Sequence, residues 1–145
     1  MPRQATPLRR TPMPRSSGPV KPRRQARQSG EVWARQVVRA RSGGVCELGM
    51  CGGSPAWEWS HRVRRSQGGR WEATNGLDAC HDCHALITTH PWECDAEGRG
   101  WAIRSTADPA RTPVWRRGEW VWLLPDGWVV ALSPAEVLAL RGDAA

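Results

Sequence analysis

The chain has 145 residues, 39% of them hydrophobic, and a net charge of +7, which allows one small domain with extensions and a modest core. No apolar run approaches the roughly 20 residues that cross a bilayer, and no apolar stretch follows the basic N-terminus to make a secretory signal. Six prolines before Gln28 spoil the amphipathic helix of an organelle-targeting peptide, so a cytosolic protein is expected.

In chain order, residues 1–28 carry eight basic side chains and no acid, and the remainder holds 13 basic and 14 acidic residues. This Pro/Arg-rich stretch lacks the apolar surface to offset the entropy of ordering and is predicted to be a disordered tail that holds polyanions. Ser29 is placed to cap a helix over about Glu31–Arg41, with Trp33, Val37, Val38 and Ala40 towards one side and Gly43-Gly44 at its end. Next comes a dense segment, 45–90, with all four histidines and four of the five cysteines. Short strands around Trp57–Val63 and a helix over His81–Thr89, stopped by Pro91, are expected within it. Beyond Gly98, GWAIRS reads as a strand before a proline-containing loop. WVWLL and WVVAL read as a hairpin across Pro125-Asp126-Gly127, and Ser133-Pro134-Ala135-Glu136 as a capping box for a short helix closing at Gly142. These elements give an α+β fold in three pieces: the tail 1–28, a domain 29–98, and a strand, hairpin and helix over 99–145 packed on it.

Cys46 and Cys51 are separated by four residues, Cys80 and Cys83 by two, and Gly49, Gly52 and Gly53 surround the first pair. Two such knuckles supply four thiolates to a tetrahedral structural Zn²⁺. Disulfides are disfavoured in the cytosol, and no βαβ pattern surrounds the CxxC to make it a redox motif. Cys94 is left over, read as a small buried or merely tolerated side chain.

The stretch SHRVRRSQGGRWEATNGLDACHDCH places His61, Gly68-Gly69, Asn75 (the single asparagine), and then Cys80, Cys83 and His84. In those offsets it resembles the HNH endonucleases, or ββα-metal nucleases, over about residues 45–90. HRVRRSQGG is similar to the small HNH proteins of actinobacteria and their phages. The resemblance implies a DNA-cutting hydrolase with His61 as general base and His84 as ligand of one catalytic divalent ion, Mg²⁺ or Mn²⁺. It also implies that Asn75 holds the loop, orienting His61 through its amide or reaching the metal, and that work beside a phage packaging terminase is a context for such a protein. An imidazole suits the base because it exchanges a proton near neutral pH, and the metal bears charge on the scissile phosphate.

The chain departs from the family at Ser60, where a metal-binding Asp or His is usual, and Glu58 two residues earlier on the same strand face is placed to supply the missing charge. Arg62, Arg64, Arg65 and Arg70 flank the base and are expected on DNA phosphates. His81 is expected to be exposed, the tryptophans to be packing residues, and Trp71 beside Arg70 to have base stacking as a lesser option. The rival readings are a zinc-dependent DNA-binding module that has lost catalysis, for which Ser60 argues, and a scaffold tethered by its basic tail.

Overall fold

A computed structural model describes residues 22–142. The basic tail expected over 1–28 lies outside the described residues as far as position 21. From there the chain is already helical: α1 runs Pro22–Ser42. Proline at the first helical position forfeits no hydrogen bond, and the Arg, Gln and Ala that follow are good helix formers. Ser29 is therefore inside the helix and not its cap. Among the described side chains of α1 the buried ones are Ala34, Val38 and Ser42, at successive turns, whereas Trp33 is 50% exposed and Ala40 is exposed, so of the expected face Val38 and half-buried Val37 remain. Gly43 and Gly44, both left-handed, end the helix.

The chain then crosses the first cysteine knuckle and enters β1, Glu58–His61, which pairs antiparallel with β2, Gly76–Ala79, with Ser60 opposite Leu77 and His61 opposite Gly76. The helix α2, His81–Thr89, follows directly and packs against β1. Its bounds are those the sequence predicts, with His90 closing it before Pro91.

The strand expected over GWAIRS, residues 100–105, is absent; that segment is irregular backbone tied down by side chains. Trp101 is fully buried and its indole N–H donates to the Trp115 carbonyl at 2.6 Å, while the Ile103 N–H reaches the Arg62 carbonyl. The segment predicted as a proline-containing loop instead yields β3, Val114–Arg116, beside the expected hairpin of β4, Glu119–Leu123, and β5, Val129–Ala131. They form a three-stranded antiparallel sheet in the order β3-β4-β5. The capping box forms as expected at the start of α3, Pro134–Gly142. Glu136 accepts from the backbone N–H and hydroxyl of Ser133, and the Ser133 hydroxyl accepts from the Glu136 N–H.

One apolar core serves both expected pieces of the molecule. Leu48, Leu77 and Ile87 from the first half meet Trp101, Val114, Val121 and Leu123 from the second, around the knuckle cysteines. A buried ion cluster adjoins it. Glu47, with no exposed surface, accepts from Arg41 through both oxygens (2.8 and 2.7 Å), from Arg116 at 2.8 Å and from the Asp78 N–H at 2.9 Å. Burial alone would push this carboxyl up, but the two guanidinium groups outweigh it and hold its pKa below the usual range. No helix among the described residues is long and apolar enough to cross a membrane.

Candidate functional site

The four predicted cysteines converge. The thiols of Cys46, Cys51, Cys80 and Cys83 lie within 4.8 Å of one another, and a tetrahedral zinc with bonds of about 2.3 Å holds its sulfurs roughly 3.8 Å apart. The first knuckle bends between Cys46 and Ser54, which share a backbone hydrogen bond of 2.9 Å, and the Ser54 N–H donates to the Cys51 sulfur at 3.3 Å. The second pair straddles the first turn of α2. From the far sheet, Arg117 donates to the carbonyls of Ser42, Val45 and Cys46, so the turn between β3 and β4 braces the knuckle. Burial opposes ionisation of Cys51, yet the N–H groups of Gly53 and Ser54 bring its pKa down to about 6, while burial pushes Cys46 and Cys83 up. Four sulfurs gathered at this spacing are a donor set that suits zinc, and ligation would hold all four as thiolates. The residues fit a structural zinc site.

Alternation along β1 divides its side chains between two faces. Trp59 and His61 lie together, their rings meeting edge to face at 5.6 Å, and Trp71 closes on His61 at 4.4 Å. Trp59 lies over Gly76, where a Cβ would stand 2.0 Å from the indole. The Nε2 atom of His61 is buried and meets no hydrogen-bond partner among the described residues. Burial, with Arg65 and Arg35 adding repulsion, lowers the His61 pKa to about 4, so the imidazole is neutral at pH 7. Arg35 and Arg65 each stack on Trp71, at 4.6 and 5.5 Å. Arg35, from α1, is a neighbour of this site that sequence reasoning missed, because no local pattern links it to β1.

The other face of β1 looks towards α2. Ser60 is buried, and with His61, Arg64, Arg65, His84 and Trp101 it lines a cleft of about 340 Å³. Glu58 accepts from Nδ1 of His84 at 2.5 Å with one carboxylate oxygen and from Nδ1 of His81 at 2.7 Å with the other. These bonds hold the Glu58 carboxyl low, and Glu58 in turn raises the pKa of His81. His81 is exposed as expected, but its bond to Glu58 was not foreseen. The signal available for it was its spacing of three from His84 on a helix, which puts both on one face.

Asn75 does not reach the His61 imidazole, nor does it present its amide to the cleft. Fully enclosed, it accepts from the Val63 N–H at 2.7 Å and donates to the carbonyls of Val63 and Arg70. Of the two expected roles, holding the loop is the one its contacts perform. Gly68 turns that loop in the left-handed region, and a Cβ on Gly69 would sit 1.8 Å from the Val63 carbonyl oxygen, so the glycine pair lets the loop fold back on itself.

Arg62 is corrected. It has no exposed surface, and its guanidinium donates to the carbonyls of Thr74, Gly100, Pro109, Thr112 and Pro113. Burial lowers its pKa to about 9, which leaves it charged at neutral pH, but with its donors engaged inside the molecule it is not available to a phosphate. Arg64 and Arg65 remain exposed at the cleft, and Arg70 is exposed beside a separate hollow lined by Glu72 and Asn75. Comparison of the chain with models of protein families, with curated proteins and with solved structures finds no match.

Proposed function

We propose that the chain is a metal-dependent endonuclease of the HNH type that hydrolyses DNA phosphodiester bonds, with a zinc-stapled β1-β2-α2 unit as its ββα motif. The observation that carries this reading is the shared cleft. His61 at the end of β1 and His84 on α2 both line this cleft, with Arg64 and Arg65 beside them. Order of elements, the four-thiol cluster at the base of α2 and the pinned loop between the strands all agree with it.

In this mechanism His61, neutral at pH 7, accepts a proton from the attacking water. Its desolvated ring is a weak base when free, and an anionic phosphate in the cleft raises its affinity for that proton. His84 and Glu58, with Ser60 beside them, would hold the divalent ion, Mg²⁺, Mn²⁺ or another. Such an ion would supply positive charge to the scissile phosphate as the bond breaks. Arg64, Arg65 and Arg70 position the backbone, and contacts of that kind carry little sequence preference. Each site breaks one strand, so a double-strand cut takes two copies or two visits. Activity beside a phage terminase is part of the same proposal.

Supercoiled plasmid tests it. Cleavage is expected with Mg²⁺ or Mn²⁺ and not with EDTA, and His61→Ala is expected to slow it about 10²–10⁴-fold with the zinc content unchanged. A wild-type protein that binds DNA but never cuts it under any divalent ion would replace the nuclease with a DNA-binding zinc module.

A further inference from the structure

From the cleft to α1, guanidinium and indole groups alternate. Trp71 carries Arg65 of the cleft on its ring at 5.5 Å and Arg35 of α1 at 4.6 Å. Arg39 stands one turn on from Arg35 along α1, and its guanidinium lies over Trp57 at 5.7 Å. Trp57 is 78% exposed, more than any other large hydrophobic side chain among the described residues. The nuclease reading uses none of Arg35, Arg39 and Trp57. We propose that this strip binds an unpaired DNA strand running out of the cleft, with phosphates on Arg35 and Arg39 and a base stacked on Trp57, so that the preferred substrate is DNA with a single-stranded segment beside the cut. The role of the strip in cutting rests on the nuclease reading above; its binding of a single strand does not.

Charge, spare donors and an open ring support it. The side chains of Arg35 and Arg39 are 48% and 45% exposed. Among the described residues Arg35 spends only Nε, on Glu31 at 3.0 Å, and Arg39 spends only Nη1, on Asp78 at 3.2 Å and on the Ala56 carbonyl. Each keeps further N–H groups for a phosphate, whose oxygens a guanidinium takes in pairs. The bond from Arg39 to Ala56 also fixes the residue before Trp57, and its guanidinium backs the indole, so the ring is set in place before a strand arrives. Trp71 differs, because its ring is half-buried and already bears two guanidinium groups. Stacking on an exposed indole suits any base but needs that base out of its duplex stack. Charge alone favours the duplex, which presents more phosphates per unit length. The open indole is what turns the strip towards a single strand.

The test is fluorescence anisotropy of dye-labelled DNA with full-length, zinc-loaded protein and no added Mg²⁺ or Mn²⁺. The probes are a blunt duplex and the same duplex carrying a single-stranded arm. Wild type is expected to bind the armed duplex at least about 5-fold more tightly, and Trp57→Ala to weaken that binding about 5- to 100-fold and remove the preference. Arg35→Gln and Arg39→Gln are each expected to lower the slope of log affinity against log salt on the armed probe by about 0.7. Trp128→Ala, at a ring 72% exposed beside β5, is the control and changes neither probe. Equal affinity of wild type for the two probes, full affinity for the arm in Trp57→Ala, unchanged salt slopes in both arginine variants, or an equal loss in Trp128→Ala overturns the strip. A protein that prefers the armed duplex through Trp57 yet cuts no DNA with any divalent ion keeps the strip and loses the nuclease. One that nicks plasmid through His61 but binds both probes alike keeps the nuclease and loses the strip.

Discussion

Asn75 shows what one side chain does for the position of another that it never touches. Its amide grips the backbone of Val63, two residues past His61, and the carbonyl of Arg70, so the strand end that carries the imidazole is fixed from behind. Asn75→Ala strands the Val63 N–H in a buried place, an orphan donor costing about 1–3 kcal/mol. Denaturant unfolding is expected to register a loss of about 2–3 kcal/mol, with faster hydrogen exchange at Val63. Asn75→Asp, which keeps the acceptor and loses the donors, should fall between the two; equal stability of all three proteins would remove this role. The address of Asn75 was plain in the sequence, because its spacing from His61 and Cys80 is local information. Its grip was not, since the same address serves either an imidazole or a backbone. Glu58 is a similar case: strand alternation puts it on the face of Ser60, but only the packing of α2 reveals two histidines waiting for it.

Among the elements, those that the chain specifies locally were readable. Periodicity and Pro91 give α2, the turn residues give the β4–β5 hairpin, and Ser133 with Glu136 gives the start of α3. Those set by distant partners were not. HRVRR presents its arginines alike, and nothing nearby reveals that the carbonyls receiving Arg62 come from Gly100 and from Pro109 to Pro113. The same dependence explains the missing strand at 100–105: Trp101 and Ile103 have strand-like composition but pair with no strand, Trp101 being held by its indole on Trp115 and its N–H on Ala96, and Ile103 by the backbone of Arg62. Arg62 is thus the peg between the end of β1 and the long connection to β3. Arg62→Ala is expected to cost about 3 kcal/mol or more, because several buried carbonyls lose their donor at once. Arg64→Ala, on the exposed side, should stay within about 0.5 kcal/mol. Urea unfolding compares them, and an Arg62→Ala protein of normal stability but weakened DNA affinity would restore the phosphate role.

At the scale of the whole molecule, Glu47 joins α1, the strand pair and the far sheet, through Arg41, Asp78 and Arg116. Its folded pKa lies below the value of about 4.3 expected when unfolded. The stability it contributes is therefore fully present above about pH 4.3 and is lost as pH falls through the folded pKa. Glu47→Gln leaves two guanidinium groups short of their carboxylate, and a broken buried pair costs about 3–5 kcal/mol. The gap in unfolding free energy between wild type and Glu47→Gln is expected to hold steady from pH 7 to 5 and to narrow below pH 4. A gap that widens with acid would contradict the assignment. Nothing in the sequence singled out this cluster, for its members are scattered from position 41 to 116 and each resembles an ordinary surface charge.

The cysteine cluster also sets an order of events for a chain made from its N-terminus. Two thiols, Cys46 and Cys51, leave the ribosome well before Cys80 and Cys83, so the staple has no second half until α2 has begun to emerge. The apolar side of the cluster stays uncovered for longer, until Val121 and Leu123 arrive to complete the core around it. During synthesis the growing protein is thus a bare dithiol, then a metal-ready but open layer, and only at the end a closed domain. A chain halted near position 98 would hold all four thiols of the cluster and yet lack Trp101, Val114, Val121 and Leu123, much of the core that surrounds them.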